Sequence, residues 1–389
     1  FCARVVADNL GFVRHIAVAP NGDTFATLRN LRLGLGGLLQ LRDNDADGRL
    51  EQVTQVTDKP GMGIAIDAEW LYFGADTGIL RWPLQADGSV DTSAEEVLVD
   101  GFPALDEHGG KTLALDGAGY LYVNIGAPSN ACQAENRVAG SPGQDPCPET
   151  ENHAGIWRFS VSRPNQQFVE GERYVNGIRN AYALDWHQQS GGLYAVQHGR
   201  DQLHELWPEI YTAQQGADLP AEELLRLRQG ETYSWPYCYF DPDTGRLVVA
   251  PEYGGNDKET QRCSGYPEPV LTFPAHYSPN DMVFYHADQF PHHYQHGAFI
   301  AFHGSYNRGD MGQVGYQVVF VPFSKGRPLG NWEVFADDFA GDQALVESPD
   351  DAEFRPTGMA VTPDGSLLVS DSVQGRIWRI RYVGETEGF

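Results

Sequence analysis

The sequence predicts an all-β fold, a six-bladed β-propeller that takes up residues 1–389 as a single domain. Three observations predict it. A strand–turn–strand pattern recurs six times, several of its turns contain Asn-Gly or Asp-Gly pairs, and 44 glycines with 12% aromatic residues are typical of a folded, turn-rich chain. Recurring units of roughly 45 residues with several short strands are typical of propeller blades, which bury their faces by stacking on neighbouring blades.

Each unit joins an apolar alternating strand to a second, aromatic-rich strand. Alternation at period two marks half-buried strands, and a turn such as Asn21-Gly22 or Asp364-Gly365 marks the hairpin between them. The six units begin at Ile16, Ile64, Leu113, Leu184, Met282 and Met359. A β-sandwich with coincidental turns is the alternative fold, and six successive copies disfavour it.

The distance between unit starts lengthens along the chain. The first two intervals are 48 and 49 residues, and all the later ones exceed 70. We therefore predict long loop insertions in blades four to six. Within the insertion of blade four, residues 219–227 form the clearest helix candidate, with Asp218 and Pro220 near its start.

The charge balance narrows the range of partners. Lys and Arg total 27 against 53 Asp and Glu, a formal net charge of −26. Such a surface repels phosphate backbones and anionic lipid, so nucleic acid is not an expected partner. The sequence has no run of about 18 apolar residues, so no membrane span is predicted. Because the chain starts at Phe1, we interpret it as a mature form from which a signal peptide has been removed.

The five cysteines favour disulfides over a metal site. Cys132 and Cys147 lie in one Gly/Pro/Ser-rich loop, Cys238 and Cys263 flank another, and no C-x-x-C pair occurs. Two short-range pairs of this kind predict disulfides that cross-link loops. They imply an oxidising compartment, periplasmic or extracellular. Cys2 is left over, and its role stays open.

Candidate functional residues lie just before the inner strands of several blades. Loops gather at one end of a propeller axis, so such residues are expected to share one rim. Those singled out are Arg14, His108, Lys111, Arg179, Asn180 and Arg355. A ring of cations in so acidic a protein suggests a site for a small polyanion, because guanidinium binds carboxylates in a bidentate fork. The alternative is that the arginines only cap strand ends, and spacing alone leaves both open.

Several motifs together resemble the soluble quinoprotein sugar dehydrogenases, propellers that carry pyrroloquinoline quinone (PQQ) and calcium. These motifs are His108-x-Gly-Lys before Leu-x-Leu-Asp-Gly, Arg179-Asn180, Gln197-His-Gly-Arg-Asp-Gln, Glu222-Glu223 and Tyr233-Ser-Trp-Pro. The resemblance is strongest to the sorbosone and pyranose dehydrogenase branch. That branch shares Ser129-Asn-Ala-Cys, Pro146-Cys, Trp235-Pro-Tyr-Cys, Asp288-Gln-Phe-Pro, Ala301-Phe-His-Gly-Ser-Tyr-Asn-Arg and Arg355-Pro-Thr-Gly-Met-Ala. The matches run over essentially the whole chain.

The resemblance implies a catalytic pair and a set of cofactor contacts. His108 matches the general base that takes the sugar hydroxyl proton while hydride passes to the quinone, and Arg179 matches the arginine over the quinone carbonyls. The residues implied to hold PQQ are Arg14, Lys111, Asn180, His303, Arg308 and Arg355.

The same resemblance implies a calcium site. Gly199 and Arg200 match positions that offer backbone carbonyls to Ca²⁺, and Glu223 matches a side chain near the ion. Lys111 stands where the glucose-oxidising branch has arginine, and the counterpart of Arg14 there is not arginine. The resemblance therefore does not imply that this protein prefers glucose. The implied partners are a sugar substrate and an external electron acceptor such as a cytochrome or quinone, since no haem-attachment motif is present.

Other signals are interpreted as structural. Asp43-Asn-Asp-Ala-Asp-Gly48 has the first half of an EF-hand loop, but Thr54 stands at position twelve, which favours a plain turn over a second calcium site. His292, His293 and His296 are read as part of a surface turn. Asp201, Asp281 and Asp371, each near a strand end, are interpreted as turn or cap residues.

Two other functions are kept as alternatives. A metal-dependent propeller lactonase would need several axial Glu, Asp and Asn side chains around one metal, whereas the blade-edge residues here are mainly basic. A non-catalytic binding module is the second alternative. Lactone hydrolysis without PQQ would favour the first, and ligand binding without any turnover would favour the second.

Overall fold

The computed structural model describes residues 1–30, 35–342 and 345–384. Six of its sheets are each built around four antiparallel strands, and the six-bladed propeller is confirmed. The inner strands of successive blades contact one another in a closed ring, from the first blade around to the sixth and back to the first. The six sequence repeats correspond to the two innermost strands of the six blades.

The first three blades follow one another along the chain after an initial strand, β1 (Cys2–Ala7), that belongs to the last blade. Blade one contains β2 (Val13–Val18), β3 (Thr24–Asn30), β4 (Leu35–Arg42) and β5 (Gln52–Thr57). Blade two contains β6 (Gly61–Ile66), β7 (Trp70–Ala75), β8 (Gly78–Pro83) and β9 (Glu96–Asp100). Blade three contains β10 (Leu113–Leu115), β11 (Tyr120–Ile125), β12 (Gly155–Ser160) and β14 (Glu172–Asn176), while the short β13 (Gln166–Gln167) pairs in parallel with β9.

Blades four and five carry extra hairpins, and blade six does not. Blade four contains β15 (Ala183–His187), β16 (Gly192–Gln197), β17 (Glu222–Leu227) and β20 (Leu271–Phe273), with the hairpin β18 (Cys238–Asp241) and β19 (Arg246–Val249) inserted. Blade five contains β21 (Pro279–Phe284), β22 (Ala298–His303), β23 (Tyr316–Val321) and β26 (Glu333–Ala336), with the hairpin β24 (Phe323–Ser324) and β25 (Arg327–Pro328). Blade six contains β27 (Pro356–Val361), β28 (Leu367–Asp371) and β29 (Ile377–Arg381) together with β1.

Helices are short and lie in the connections. The described residues contain α1 (Leu203–Leu206) and α2 (Ala213–Asp218) between β16 and β17. Single turns of 3₁₀ helix occur at Pro148–Glu151, Phe168–Glu170, Gln188–Ser190, Pro251–Tyr253, Gln261–Cys263, His292–Tyr294, Gly309–Met311 and Pro349–Asp351.

The helix predicted over residues 219–227 is wrong, because Glu222–Leu227 is strand β17. It pairs with β16 on one side and β20 on the other, in the interior of blade four. Glu and Leu favour helices in isolation, but two ladders of hydrogen bonds and burial on both faces outweigh that propensity. The helix of this region is α2, which ends at Asp218 just before the predicted segment.

The long connections agree with the expectation of insertions for blades four and five and differ from it for blades three and six. They span residues 126–154 in blade three, 198–221 and 228–270 in blade four, and 285–297 and 304–315 in blade five. Blade six has short turns between β27, β28 and β29. The interval between two unit starts contains the loops of the earlier unit. A lengthened interval therefore indicates an insertion in the blade that begins it, whereas the prediction assigned the insertion to the blade that follows.

The ring is closed by the two ends of the chain. β1 pairs antiparallel with β29, with Cys2 opposite Arg381 and Val5 opposite Trp378. Blade six is therefore completed by the N-terminal strand, which covers the edge that β29 would otherwise expose. Apolar clusters fill the spaces between adjacent blades, as where Phe73 of blade two packs with Phe25 of blade one.

Both predicted disulfides are confirmed. Cys132 is bonded to Cys147 within the 126–154 loop of blade three, and Cys238 is bonded to Cys263 in the insertion of blade four. Cys2 is a free cysteine. Both disulfides hold loops on which residues of the candidate site lie.

Candidate active site

His108 lies in the loop before β10 and has a left-handed backbone conformation, with φ of 51°. Its Nδ1 is 2.7 Å from the carbonyl oxygen of Ala127. A carbonyl only accepts, so Nδ1 carries the proton and Nε2 keeps a free lone pair. Burial and the charge of Arg179 lower the pKa of His108 to about 4, which leaves the imidazole neutral near pH 7. A neutral ring with a free Nε2 can accept a proton.

Gly126 determines how closely the chain approaches His108, and the sequence analysis missed it. A Cβ added at Gly126 would lie 2.5 Å from the Cβ of His108 and 2.7 Å from its carbonyl oxygen. The position follows directly after β11, where the 126–154 loop begins. A glycine at the start of a loop between strands was the only sequence signal for it.

Arg179 is buried, with 3% of its side chain exposed. Its Nε donates to the carbonyl oxygen of Asn130 at 3.0 Å, and Nη1 donates to that of Gly199 at 2.8 Å. Nη2 donates to Oδ1 of Asn130 at 2.9 Å and to Oδ2 of Asp201 at 2.8 Å. The guanidinium is thus fixed by groups from two blades.

Asn180 is fully buried beside Arg179 and links three blades. Its Oδ1 accepts from Nδ2 of Asn124 at 3.0 Å, and its Nδ2 donates to Nδ1 of His198 at 2.8 Å. Nε2 of His198 donates to the carbonyl oxygen of Pro279 at 2.8 Å. Burial and the charge of Arg179 lower the pKa of His198 to about 3, in keeping with this neutral tautomer.

Three cations near this rim, the buried Lys111 and the half-buried Arg14 and Arg355, have no carboxylate partner among the described residues. Lys111 is 1% exposed, and its Nζ donates to the carbonyl oxygen of Gly109 at 3.0 Å. Arg355 donates to the carbonyl oxygens of His303 and Gly304, both at 3.0 Å. No ion pair of the described chain includes Lys111, Arg14 or Arg355.

The electrostatics of these cations indicate a site for an anion. Burial and the charge of Arg29 lower the pKa of Lys111 to about 7. Burial also lowers the pKa of Arg14 to about 10, and Arg355 and Arg29 act in the same direction. A buried charge without a partner is unfavourable. A bound polyanion would offset both the energetic cost of desolvation and the mutual repulsion of the cations.

Arg29, at the end of β3, is a further cation that the sequence analysis missed. It forms an ion pair with Asp76, and its guanidinium lies near Lys111 and Arg14. Burial lowers the pKa of Arg29. Arg29 lies at the end of a strand. The sequence analysis selected cations that lie just before an inner strand, so it did not select Arg29.

His303 and Arg308 occupy different surroundings. His303 contacts Oγ of Ser372 through Nε2 at 2.8 Å, and burial with the charges of Arg355 and Arg14 lowers its pKa well below the usual value. His303 thus belongs with the cation cluster. Arg308 donates to the carbonyl oxygen of Ala217 and to Asp218 of helix α2.

The three residues predicted to hold calcium line one small cavity, of about 20 Å³, under Arg179. A cavity of that size holds one water molecule or one ion. Glu223 accepts from the backbone N–H of Phe240 at 3.3 Å and from Gln197 at 3.4 Å, and it has no ion pair among the described residues. Burial raises its pKa to about 7. A buried carboxyl without a cation, lining the same cavity as Gly199 and Arg200, fits the oxygen ligands that calcium prefers.

Two neighbouring groups support this cavity. Glu222 accepts from the N–H of Gly199 at 2.7 Å and from that of Ser278 at 3.1 Å, and burial raises its pKa to about 8. The side chain of Arg200 forms a buried ion pair with Glu252, which also accepts from the indole N–H of Trp207 at 2.9 Å. Because the guanidinium of Arg200 is paired with Glu252, the backbone carbonyl is the part of Arg200 that is available as a ligand.

The aspartates that were read as turn or cap residues differ from one another. Asp371 accepts from the N–H groups of residues 373–375, as a cap does. Asp281 instead accepts from the N–H of Met359 in the next blade at 2.7 Å. Asp201 accepts from side chains of three blades, so the interpretation as a turn residue is wrong for it. Sequence position near a strand end does not reveal such contacts, because the partners come from distant loops.

The Asp-rich turn and the histidine-rich turn lie away from this rim. Carboxylate oxygens of Asp43, Asp45, Asp47 and Glu51 lie within 4.8 Å of one another on the connection between β4 and β5, and three of the four residues are exposed. Residues 292–294 form an exposed 3₁₀ turn before β22, in agreement with the interpretation as a surface turn.

No helix in the described part of the chain combines the length and the apolar character needed to cross a membrane. The expectation of no membrane-spanning helix therefore holds for residues 1–30, 35–342 and 345–384.

Comparisons with solved structures agree with this fold. The calcium structure of the Trichoderma reesei carbohydrate-active enzyme of family AA12 is 22% identical, with a TM-score of 0.74, and the match covers 97% of this chain and 94% of that one. The holo form of the pyranose dehydrogenase PQQ domain from Coprinopsis cinerea is 19% identical, with a TM-score of 0.74 and 98% and 95% coverage. The PQQ-bound aldose sugar dehydrogenase from Streptomyces coelicolor is 16% identical, with a TM-score of 0.60 and 98% coverage of each chain.

A six-bladed propeller with a half-buried histidine and unpaired cations at one rim fits the class predicted from the sequence, the PQQ-dependent sugar oxidoreductases, and the family match supports that class. The TrAA12-like family model matches residues 1–383, so the chain belongs to the TrAA12-like family. An uncharacterized protein from Borreliella burgdorferi is 28% identical over 209 residues, or 53% of this chain. The chain spans about half the length of that curated relative, 48%.

Proposed function

We propose that this chain binds PQQ and calcium and oxidises a hydroxyl group or an aldehyde hydrate of an aldose, pyranose or sorbosone-like sugar. The observation that carries the proposal is a cluster of cations without carboxylate partners among the described residues, the buried Lys111 with the half-buried Arg14 and Arg355, on the same rim as a neutral His108. PQQ is a tricarboxylate, so its charges match this cluster.

The residues divide the chemistry between them. When bound, PQQ supplies a two-electron acceptor for hydride from the sugar carbon. Nε2 of His108 takes the proton of the sugar hydroxyl, and Nδ1–H stays donated to Ala127, which fixes the ring orientation. Arg179 presents positive charge in a buried setting where charge is weakly screened. Lys111, Arg14, Arg355, Asn180 and His303 are proposed to hold carboxylate and carbonyl oxygens.

Calcium is proposed to bind in the cavity beside Glu223. The carbonyls of Gly199 and Arg200 and the carboxylate of Glu223 would hold it, and the ion would supply Lewis-acid polarisation of a quinone carbonyl. Arg308 is kept as a proposed contact at the edge of the site, although its guanidinium is engaged with helix α2.

The electrons are proposed to leave to a separate acceptor, a cytochrome or a quinone. A periplasmic or extracellular location is proposed because two disulfides persist in oxidising compartments.

The test is reconstitution of metal-stripped protein with PQQ and CaCl₂, followed by dye reduction with a panel of sugars. We expect turnover that requires both additions, and His108→Asn should lower kcat by about 10²–10⁴-fold while PQQ still binds. His293→Asn, at an exposed turn, is the matched control and should behave as the parent. Absence of both PQQ binding and dye reduction with every sugar would overturn the proposal.

A further inference from the structure

Asp201 is 5% exposed and joins loops from three blades at the rim. Its Oδ2 accepts from Nη2 of Arg179 at 2.8 Å and from Nη2 of Arg137 at 3.0 Å. The hydroxyl of Tyr306 donates to the same oxygen at 3.0 Å, and Nδ2 of Asn307 donates to Oδ1 at 2.8 Å. Arg137 lies in the 126–154 loop of blade three, and Tyr306 and Asn307 lie in the 304–315 loop of blade five.

Asn130 completes the surroundings of Arg179 from the opposite side. Its backbone oxygen and its Oδ1 both accept from the guanidinium of Arg179. Asn130 and Asp201 are also joined to each other: Nδ2 of Asn130 donates to the carbonyl oxygen of Asp201 at 3.0 Å, and the N–H of Asp201 donates to Oδ1 of Asn130 at 2.9 Å. The two residues thus form one rigid unit around Arg179.

This arrangement leaves the guanidinium little freedom. A guanidinium has five N–H donors in a fixed planar fork. Four of those of Arg179 are taken, by Asn130 twice, by Gly199 and by Asp201. One N–H of Nη1 remains for a ligand, and its direction is set by the other four bonds.

A chain of alternating charges extends from this unit toward His108. Arg137, which bonds Asp201, also forms a bidentate pair with Glu107 at 3.0 and 2.7 Å. Glu107 directly precedes His108. Two guanidinium groups, those of Arg179 and Arg137, thus lie within hydrogen-bond distance of the same carboxylate oxygen of Asp201, at 2.8 and 3.0 Å.

We propose that Asp201 is a positioning residue that orients Arg179 for catalysis and ties the loops of blades three and five to it. The proposal rests on the function proposed above, since Arg179 is the group that acts on the cofactor. Removing the charge of Asp201 takes away the ionic partner of Arg179 and weakens one of the four bonds. The guanidinium is then held mainly by Asn130 and Gly199, so its orientation is less restricted.

The experiment combines turnover with a measurement that needs no cofactor. In protein with ¹⁵N-labelled arginine, the Nε–H signal of Arg179, identified by its loss in Arg179→Lys, should exchange slowly with solvent. In Asp201→Asn we expect exchange of that proton to speed up at least tenfold. With PQQ and calcium, kcat should fall about 100-fold while KM for the sugar changes less than threefold.

Controls separate positioning from loss of fold. Asp364→Asn breaks a surface pair with Arg379 and should leave both measurements at the parent values. Asp201→Glu keeps the charge but displaces the carboxylate by one methylene group. We expect a parent-like unfolding midpoint and a kcat at least tenfold lower, so this variant decides the question if Asp201→Asn does not fold.

The outcomes are distinct. Parent-like exchange and a kcat within threefold in folded Asp201→Asn, or a parent-like kcat in Asp201→Glu when Asp201→Asn does not fold, would overturn the proposed role. If the parent protein neither binds PQQ nor reduces dye, the proposed function fails, and faster exchange in Asp201→Asn would then still support the positioning of Arg179.

Discussion

Lys111 shows how burial changes the chemistry of one residue. The side chain is 1% exposed, and its ammonium group has one carbonyl as partner. The carbonyl oxygen of Lys111 is equally confined, since an added Cβ at Gly63 would lie 1.8 Å from it and one at Gly74 would lie 2.3 Å from it. The strands of blade two thus fix the backbone of Lys111 and leave its charge to be satisfied by a ligand.

The affinity for PQQ should therefore depend on pH through Lys111. The free protein has a lysine with a pKa of about 7, and the protonated form binds an anion better. Above pH 7 binding must take up a proton, so Kd should rise, by up to about tenfold per pH unit. Fluorescence titration with PQQ from pH 6 to pH 9 measures this slope.

The Lys111→Met variant identifies the group that titrates. It should bind PQQ more weakly at pH 6 and show a flat profile from pH 6 to pH 9. Lys258→Met, which changes a lysine whose side chain is 80% exposed, should keep the parent profile. A slope that persists in Lys111→Met would assign the titration to another residue.

Gly126→Ala tests how the backbone holds His108. The new Cβ would overlap the Cβ of His108 at 2.5 Å, so the loop must shift and carry the imidazole with it. We expect kcat to fall at least tenfold, since small displacements of a positioned group are costly in rate. Gly192→Ala, where the nearest atom is 3.4 Å from the added Cβ, is the control and should retain full turnover.

At the scale of elements, buried aspartates join the inner strands of neighbouring blades. Oδ2 of Asp185 in β15 accepts from the N–H of Phe284 in β21 at 2.8 Å, and Asp281 in β21 repeats the contact with Met359 in β27. Each carboxyl satisfies an N–H group that the four-stranded sheet of the next blade leaves unpaired. Burial raises the pKa of Asp185 to about 7 and that of Asp281 well above its usual value.

The stability of the fold should fall as pH rises through the window that Asp185 defines. Its pKa in the folded protein, about 7, is above the unfolded value of 3.8, so the folded state binds more protons between these values. The free energy of unfolding should therefore drop from pH 4 to pH 7, by about 4 kcal/mol at most from this group. Urea denaturation at a series of pH values measures it.

Asp185→Asn removes this titration and should flatten the slope between pH 4 and pH 7. Asp281 titrates in the same environment and will keep its own contribution. The exposed Asp218→Asn is the control and should keep the parent slope. An unchanged slope in Asp185→Asn would show that the carboxyl is ionised throughout this range.

At the scale of the whole molecule, the ring depends on its closure by β1. This strand pairs only with β29 in the sheet of blade six, and Val6 and Ala7 bury their side chains. A propeller ring that is not closed leaves one blade edge and its apolar face exposed.

Removal of residues 1–7 should lower the unfolding midpoint by at least about 5 °C, because the edge of β29 and the core of blade six become exposed. Thermal unfolding followed by circular dichroism measures it. A synthetic peptide of residues 1–8 added in excess should restore part of the loss, since it can pair with β29. A truncated protein with the parent midpoint would contradict the role assigned to β1.

The sequence by itself determined the architecture, the two disulfides and the family. Six repeats of a strand with alternating apolar residues specify blades. Alternation and turn residues are local properties, so they can be recognised in the sequence without the tertiary structure. Motifs such as His108-x-Gly-Lys and Arg179-Asn180 carried the resemblance for the same reason. The helix at 219–227 failed because a propensity is also local, whereas pairing with β16 and β20 is not.

Only the tertiary structure decided which groups meet. Asp201 resembles an ordinary turn residue in sequence, and its partners Arg137 and Tyr306 come from 64 and 105 residues away. The tautomer of His108 follows from a carbonyl in another loop, and the lowered pKa of Lys111 follows from burial among other cations. Hydrogen bonding, desolvation and Coulomb energy depend on distances in space, which loops from different blades set only when the ring closes.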